Sequence, residues 1–306
     1  MPGASTLEGR LLCACDCAYV IRPGDTIVEP AAAVPYYTGV GFVRPPAAFE
    51  GGQEEINACL VGTTSDGVVV AFRGTLPIDG PFTLAKLLDW VNDFNVEPVA
   101  GDGLPGRVHR GFLGSLESVW PAVRDEVRRQ LTQAGSTSRL FITGHSKGGG
   151  MAPLAAIRFR NTEGLTSKTI TFAAPKSGDS EFAAAYNVVM DHTRYEFAED
   201  VVPHLPPSVQ LRTVLAPHLF LDRRLSGLTQ FDYERVGSLL YIRRDLQIMP
   251  DPGETLLEER RQRLLRLIVA GHIQQIGDDH RIACGSGYMN ALVPTGVCPD
   301  ASTIPA

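Results

Sequence analysis

The sequence predicts an α/β chain with a central, mostly parallel sheet flanked by helices, and three observations carry that prediction. Val68-Val69-Val70-Ala71-Phe72 and Leu140-Phe141-Ile142-Thr143 are short apolar runs rich in β-branched residues, the pattern of strands buried on both faces. The second run is followed by Met151, Leu154, Ala155 and Ile157, an apolar stripe near helical spacing. Further strand-like runs and amphipathic stretches then follow to about residue 292.

The chain has 306 residues, 44% hydrophobic and 20% charged, the balance of a globular protein with length enough for a real core, and it is read as a single domain over 1–306. A net charge of −6 argues against nucleic acid as a partner. The apolar runs are far too short for a transmembrane segment. Met1 to Arg10 lacks the basic start and apolar stretch of a secretory leader, so the compartment is left as cytoplasmic if Met1 is the native start, and secreted if a leader was removed.

Ser5-Thr6-Leu7-Glu8 has capping-box spacing, so a first helix is expected from about Thr6 to Val20, covering one face of the sheet. On it, Cys13 and Cys17 share a face while Cys15 points away, which suits small buried residues better than a metal site. Cys284 and Cys298 are left as a candidate pair in an oxidising compartment. Residues 29–52, rich in Pro, Ala and Gly, read as surface loop. Residues 55–62 and 67–72 read as an antiparallel hairpin around Ser65-Asp66-Gly67. Residues 76–89 combine two prolines and a glycine with Leu84, Leu87 and Leu88, and read as a candidate lid, a loop packed shut being the alternative.

Val108 to Phe112 opens a helix that Leu116, Val119, Val123, Val127 and Leu131 carry to Gly135. Residues 169–174, 193–198 and 233–242 read as strands, and residues 254–270 as an amphipathic helix with a solvated charged face. Gly277-Asp278-Asp279-His280 reads as a polar loop before a closing helix that starts at Ser286.

The candidate chemistry centres on Gly144-His145-Ser146-Lys147-Gly148, a G-x-S-x-G motif lying between a strand and a helix. That context makes Ser146 the candidate nucleophile and turns the Lys147 amide, at the positive end of the helix, toward a developing oxyanion. Thr75, just past the end of the Val68–Phe72 strand, is the candidate second oxyanion donor, with an ordinary turn threonine as the alternative. Asp200, directly beyond a strand end in a proline-stiffened loop, is the candidate acid. Asp179, Asp191 and Asp222 stand in looser contexts and read as surface groups. His280 follows as the candidate base, with His272 as its rival. His109 precedes the serine at a helix start and is assigned a structural role.

With these residues in place, several segments together resemble the class 3 lipases of filamentous-fungal type. They are Phe72 to Thr75 (F-R-G-T), Asp89 to Asp93 (D-W-V-N-D), Val108 to Phe112 (V-H-R-G-F), Thr143 to Gly149 (T-G-H-S-K-G-G), Asp200 to Pro207 (D-V-V-P-H-L-P-P) and Val236 to Ile242 (V-G-S-L-L-Y-I). The Asp278-Asp279-His280 run and Tyr288 are similar to the closing histidine segment of that family.

The resemblance implies an α/β-hydrolase fold, Ser146, Asp200 and His280 as a triad, Thr75 and Lys147 as oxyanion donors, and no metal or organic cofactor. It further implies a serine carboxylester hydrolase whose partner is a lipid or small ester substrate, with transient contact with a lipid interface. Esterases for short or feruloyl-type esters and phospholipases are the alternatives, and a lipid-binding scaffold without chemistry is a third. Three departures stand out: Lys147 occupies a position where the family usually has leucine, and the segments between Thr75 and Trp90 and between Asp200 and His280 are longer. A cation at 147 either alters substrate preference or reaches solvent.

Overall fold

Successive side chains of a strand point to opposite faces, and the run from Val68 to Phe72 is apolar at every step. Val68, Val70 and Phe72 therefore feed one buried cluster, while Val69 and Ala71 feed another on the opposite face. The computed structural model describes residues 4, 6–21, 40–53, 57–76, 96–134, 139–207 and 232–293.

In chain order the elements are α1 (Leu7–Ala18), β1 (Ala47–Gly51), β2 (Asn57–Thr63), β3 (Gly67–Phe72), β4 (Pro98–Val99), β5 (Val108–His109) and α2 (Arg110–Ala134). They continue with β6 (Arg139–His145), α3 (Lys147–Glu163), β7 (Ser167–Phe172), β8 (Gly178–Asp179), α4 (Ser180–Val189) and β9 (Asp191–Phe197). After a 3₁₀ turn at Val202–His204 come β10 (Tyr233–Glu234), β11 (Ser238–Ile242), β12 (Ile248–Pro250), α5 (Glu254–Val269), α6 (Ile273–His280) and α7 (Gly287–Leu292).

Among the described residues the main sheet has eight strands in the order β1-β2-β3-β6-β7-β9-β11-β12. The central pairs β3/β6, β6/β7, β7/β9 and β9/β11 are parallel, while β1/β2, β2/β3 and β11/β12 are antiparallel. A mostly parallel sheet with helices on both faces is thus what the sequence pattern anticipated. A second, antiparallel sheet of two-residue strands, β10-β8-β5-β4, lies outside that expectation.

One face of the main sheet carries α1 and α7, with Leu11, Leu12, Cys13, Cys15 and Met289 packed on Val69, Phe141 and Phe172. The other carries α2 and α3, with Phe112, Leu116, Val123, Met151 and Leu154 packed on Val70 and Ile142. Each fully buried aliphatic side chain contributes roughly 1.5–3 kcal/mol relative to exposure, so the two clusters dominate the stability of the layers.

Several expectations are corrected. Residues 29–52 are not all surface loop: Ala47–Gly51 pairs with Asn57–Thr63, Phe49 opposite Cys59. The expected strand over 233–242 breaks at Gly237, where φ is 79°, so Tyr233–Glu234 joins the small sheet and Ser238–Ile242 the main one. Val108 and His109 form β5, and the helix starts only at Arg110. Cys15 does not face away from the core, since all three cysteines of α1 are buried and Cys15 Sγ lies 3.2 Å from Thr143 Oγ1. His280 ends a helix rather than lying in a loop, because Ile273 and Ile276 give α6 an inward face. The candidate lid, 76–89, lies outside the described residues except for Leu76, which is exposed; Asp89 to Asp93, Asp222 and Cys298 also lie outside them.

Candidate active site

Parallel strands deliver the candidate residues to one rim of the sheet. Thr75 follows β3, Ser146 follows β6 and Asp200 follows β9, each just past a carboxyl end. Ligands in open α/β sheets bind outside those ends.

Ser146 sits on the sharp turn from β6 into α3 with φ 57° and ψ −128°, a conformation that a non-glycine residue adopts at a cost of about 1–3 kcal/mol. The surroundings hold it there. Its amide donates to Phe172 O at 3.2 Å and its carbonyl accepts from Gly150 N at 3.2 Å. The flanking glycines are required by close approach: a Cβ on Gly144 would stand 2.2 Å from Gly148 O, and one on Gly148 2.1 Å from Phe72 O. A Cβ on Gly74 would lie 3.0 Å from Ser146 Cβ, so the backbone leading into Thr75 runs against the serine. The amides of Thr75 and Lys147 belong to two segments that converge there.

Asp200 is fully buried and makes its contacts through both oxygens. His280 Nδ1 donates to Oδ1 at 3.0 Å, with Oδ2 at 3.2 Å. Val202 N donates to Oδ1 at 3.0 Å, and Tyr288 OH to Oδ2 at 2.8 Å. Burial, with the Asp200 charge beside it, pushes the Tyr288 phenol well above its ordinary value, so it stays a donor. The Asp200–His280 pairing leaves the second ring nitrogen of His280 as the one able to exchange a proton with another group.

His145 ties the histidine to the serine's turn. Its Nε2 donates to His280 O at 2.8 Å, so Nδ1 accepts from Tyr19 OH, also at 2.8 Å. Burial and the neighbouring His280 hold its pKa well below the ordinary value, which keeps this ring neutral. The two imidazoles lie 4.7 Å apart between centroids, and His145 directly precedes Ser146.

Lys147 does not reach solvent. It is buried, and Nζ donates to Asn57 Oδ1 at 2.8 Å. Burial, reinforced by the Arg73 guanidinium, pulls its pKa down to about 8. Asn57 in turn donates to Ser118 Oγ at 3.1 Å, so the residue after the serine is fastened to β2 and α2.

The other residues fall where the sequence put them or clear of the rim. His109 is buried, stacked on Phe112 and driven down to about 3 by burial, in keeping with a structural part. Asp179 caps α4 by accepting from Phe182 N, and Asp191 is exposed. His272 is the exposed N-cap of α6, at the end opposite His280. Sequence reasoning passed over Tyr19, His145, Asn57 and Arg260. Only His145 carried a local signal, as an unexplained imidazole beside the nucleophile motif. Among the described residues no group of His, Cys, Asp or Glu could hold a metal ion, and no helix is long and apolar enough to cross a membrane.

Residues 69–210 match the family model for lipase (class 3). A secreted mono- and diacylglycerol lipase of Fusarium solani is 31% identical over 160 residues, covering 51% of this chain and 44% of that protein. A lipase of Rhizomucor miehei is 31% identical over 153 residues, covering 48% and 39%. The matched segment thus spans less than half the length of these relatives. The solved structure of Rhizomucor miehei triacylglyceride lipase superposes with a TM-score of 0.60 over 95% of this chain and 94% of that one, at 18% identity, so the likeness there is one of fold.

Proposed function

Because this α/β-hydrolase-fold chain belongs to the class 3 lipase family through residues 69–210, we propose that it is a serine carboxylester hydrolase acting on acylglycerols. The observation that carries the reading is Ser146 held at positive φ on the strand-to-helix turn, with His280 engaged by a buried Asp200 on the same rim.

In this reading Ser146 Oγ attacks the ester carbonyl as its proton passes to His280 Nε2. Asp200 stabilises the resulting imidazolium through Nδ1–H. The carbonyl oxygen, now negative, is held by the amides of Thr75 and Lys147 at the N-terminus of α3, where the helix dipole adds to the stabilisation. The imidazolium gives its proton to the departing alcohol, leaving an acyl-serine. Water, deprotonated by the same ring, then releases the acid and regenerates Ser146. No metal or redox group takes part in these steps. The apolar leucines of 76–89 are the candidate contact with a lipid interface.

The test is hydrolysis of p-nitrophenyl esters and acylglycerols of graded chain length, below and above their solubility limit. We expect turnover of medium or long chains and a loss of at least ~10³-fold in kcat for Ser146→Ala. A rate rise above the solubility limit supports interfacial action. Preference for feruloyl esters or phospholipids redirects the substrate class, and lipid binding without hydrolysis of any ester rejects the enzyme.

A further inference from the structure

We propose that Arg244 is a positioning residue that keeps the acid and the histidine of the candidate triad in register, by clamping the two carboxylates that immediately precede them. The proposal rests on the triad reading above.

Asp200 and His280 are 80 positions apart in sequence, and each follows an acidic residue, Glu199 and Asp279. Both of those carboxylates are buried, their side chains only 6% and 4% exposed. One nitrogen of Arg244, Nη2, donates to Glu199 Oε2 and to Asp279 Oδ2, at 2.6 Å each. Glu199 N also donates to Asp279 Oδ2, at 3.2 Å. The acid segment and the end of α6 are therefore joined twice in parallel, at residues 199 and 279 and again at 200 and 280.

The charge pattern explains why a cation is needed at the first junction. Two buried carboxylates that share a hydrogen-bond network repel, and without a partner their simplest relief is separation or protonation. Separation of the 199 and 279 backbones would draw His280 Nδ1 away from Asp200. Arg263 Nε donates to the other Glu199 oxygen, Oε1, at 2.8 Å, but among the described residues only Arg244 makes an ion pair with Asp279. Arg244 is half exposed beside a cavity of about 450 Å³ lined also by Tyr241, Leu256 and Glu259, so its outer edge stays hydrated. With Arg263 on Glu199, it thereby offsets the charge of the pair without the full cost of burying a guanidinium. Arg244, β12 and α5 all belong to the long segment between Asp200 and His280, which gives that segment a part in the site.

The experiment uses the full chain as wild type, Arg244→Ala, Arg244→Lys and Arg244→Ala/Asp279→Asn, with Ser146→Ala as the inactive reference and rates expressed per serine titrated by a fluorophosphonate. At about pH 8 we expect Arg244→Ala to lower kcat roughly tenfold with KM changed less than about twofold, since a displacement well under 1 Å at the base suffices for that. Arg244→Lys should keep most of the rate, and Asp279→Asn added to Arg244→Ala should restore at least about half of it, because it removes the repulsion rather than replacing the cation. In parallel, the low-field Nδ1 proton of His280, followed by NMR, should broaden or vanish in Arg244→Ala and return in the double variant. Wild-type kcat together with an unchanged proton signal in Arg244→Ala overturns the clamp. So does a loss that only tracks the fraction of titratable serine and that Asp279→Asn fails to relieve. If wild type cleaves no ester, the hydrolase reading fails alone, and the His280 proton still decides for or against Arg244.

Discussion

A lysine directly after a candidate nucleophile carries an electrostatic cost, because burial and the Arg73 guanidinium both oppose its charge. Its ammonium is withdrawn from water and, among the described residues, donates to a neutral partner, Asn57. The pH dependence follows from the shift. Below about 8 Lys147 is charged in both folded and unfolded chains, and the burial penalty is felt in full. Between about 8 and an unfolded value near ~10.4 the folded chain has released the proton while the unfolded chain keeps it, so stability rises with pH. Denaturant unfolding of wild type and Lys147→Met should show the methionine variant's advantage shrinking by about 2 kcal/mol between roughly pH 7 and 10. A constant difference across that range would mean that the ammonium is better solvated than its burial indicates. The position of Lys147 was legible in the sequence, but the fate of its side chain was not, because Asn57 lies 90 positions away.

At the scale of elements, α5 illustrates how a helix read as merely amphipathic acquires a specific attachment. Arg260 is buried, donates through Nε to Ala198 O at 2.7 Å and through Nη2 to Asp200 O at 3.3 Å, and pairs with buried Glu196. Against the burial that opposes ionisation, Arg260, Arg235 and Arg194 hold Glu196 far below the ordinary carboxylate range. Removing one partner leaves a buried charge short of compensation. Arg260→Met is therefore expected to cost about 3 kcal/mol in unfolding free energy, and Arg260→Met/Glu196→Gln to recover much of it. Equal losses in the single and double variants would refute the pairing.

The sequence showed β3 and β6 plainly, since continuous apolar runs leave little choice, and β7 through the β-branched and apolar alternation Thr169-Ile170-Thr171-Phe172. It hid β1, whose Ala47-Ala48-Phe49-Glu50-Gly51 lies in a Pro- and Gly-rich stretch, and the two-residue strands, which are too short for any period to emerge. It misread the end of α6 because Gly277-Asp278-Asp279 has loop composition, whereas Ile273 and Ile276 dock and Asp279 is paired.

For the molecule as a whole, the sheet is assembled from distant parts of the chain, and α1 is sealed beneath them. It lies on β3 and β6 and touches α7, with Leu11 to Ala18 all buried. Burial raises the thiols of Cys15 and Cys17 well above their usual range, which leaves them as unreactive thiols in the folded state. Alkylation at Cys13, Cys15 and Cys17 should then proceed at the rate of global opening and slow in step with any stabilising substitution elsewhere. Fast labelling in native buffer would show that α1 detaches by itself.

The same arrangement bears on synthesis. Helix α1 finds its seat only after strands and a helix that follow it by more than a hundred residues have been made. Until then its greasy, sulfur-bearing surface stays uncovered, the kind of transient exposure that makes a partly folded chain prone to aggregate.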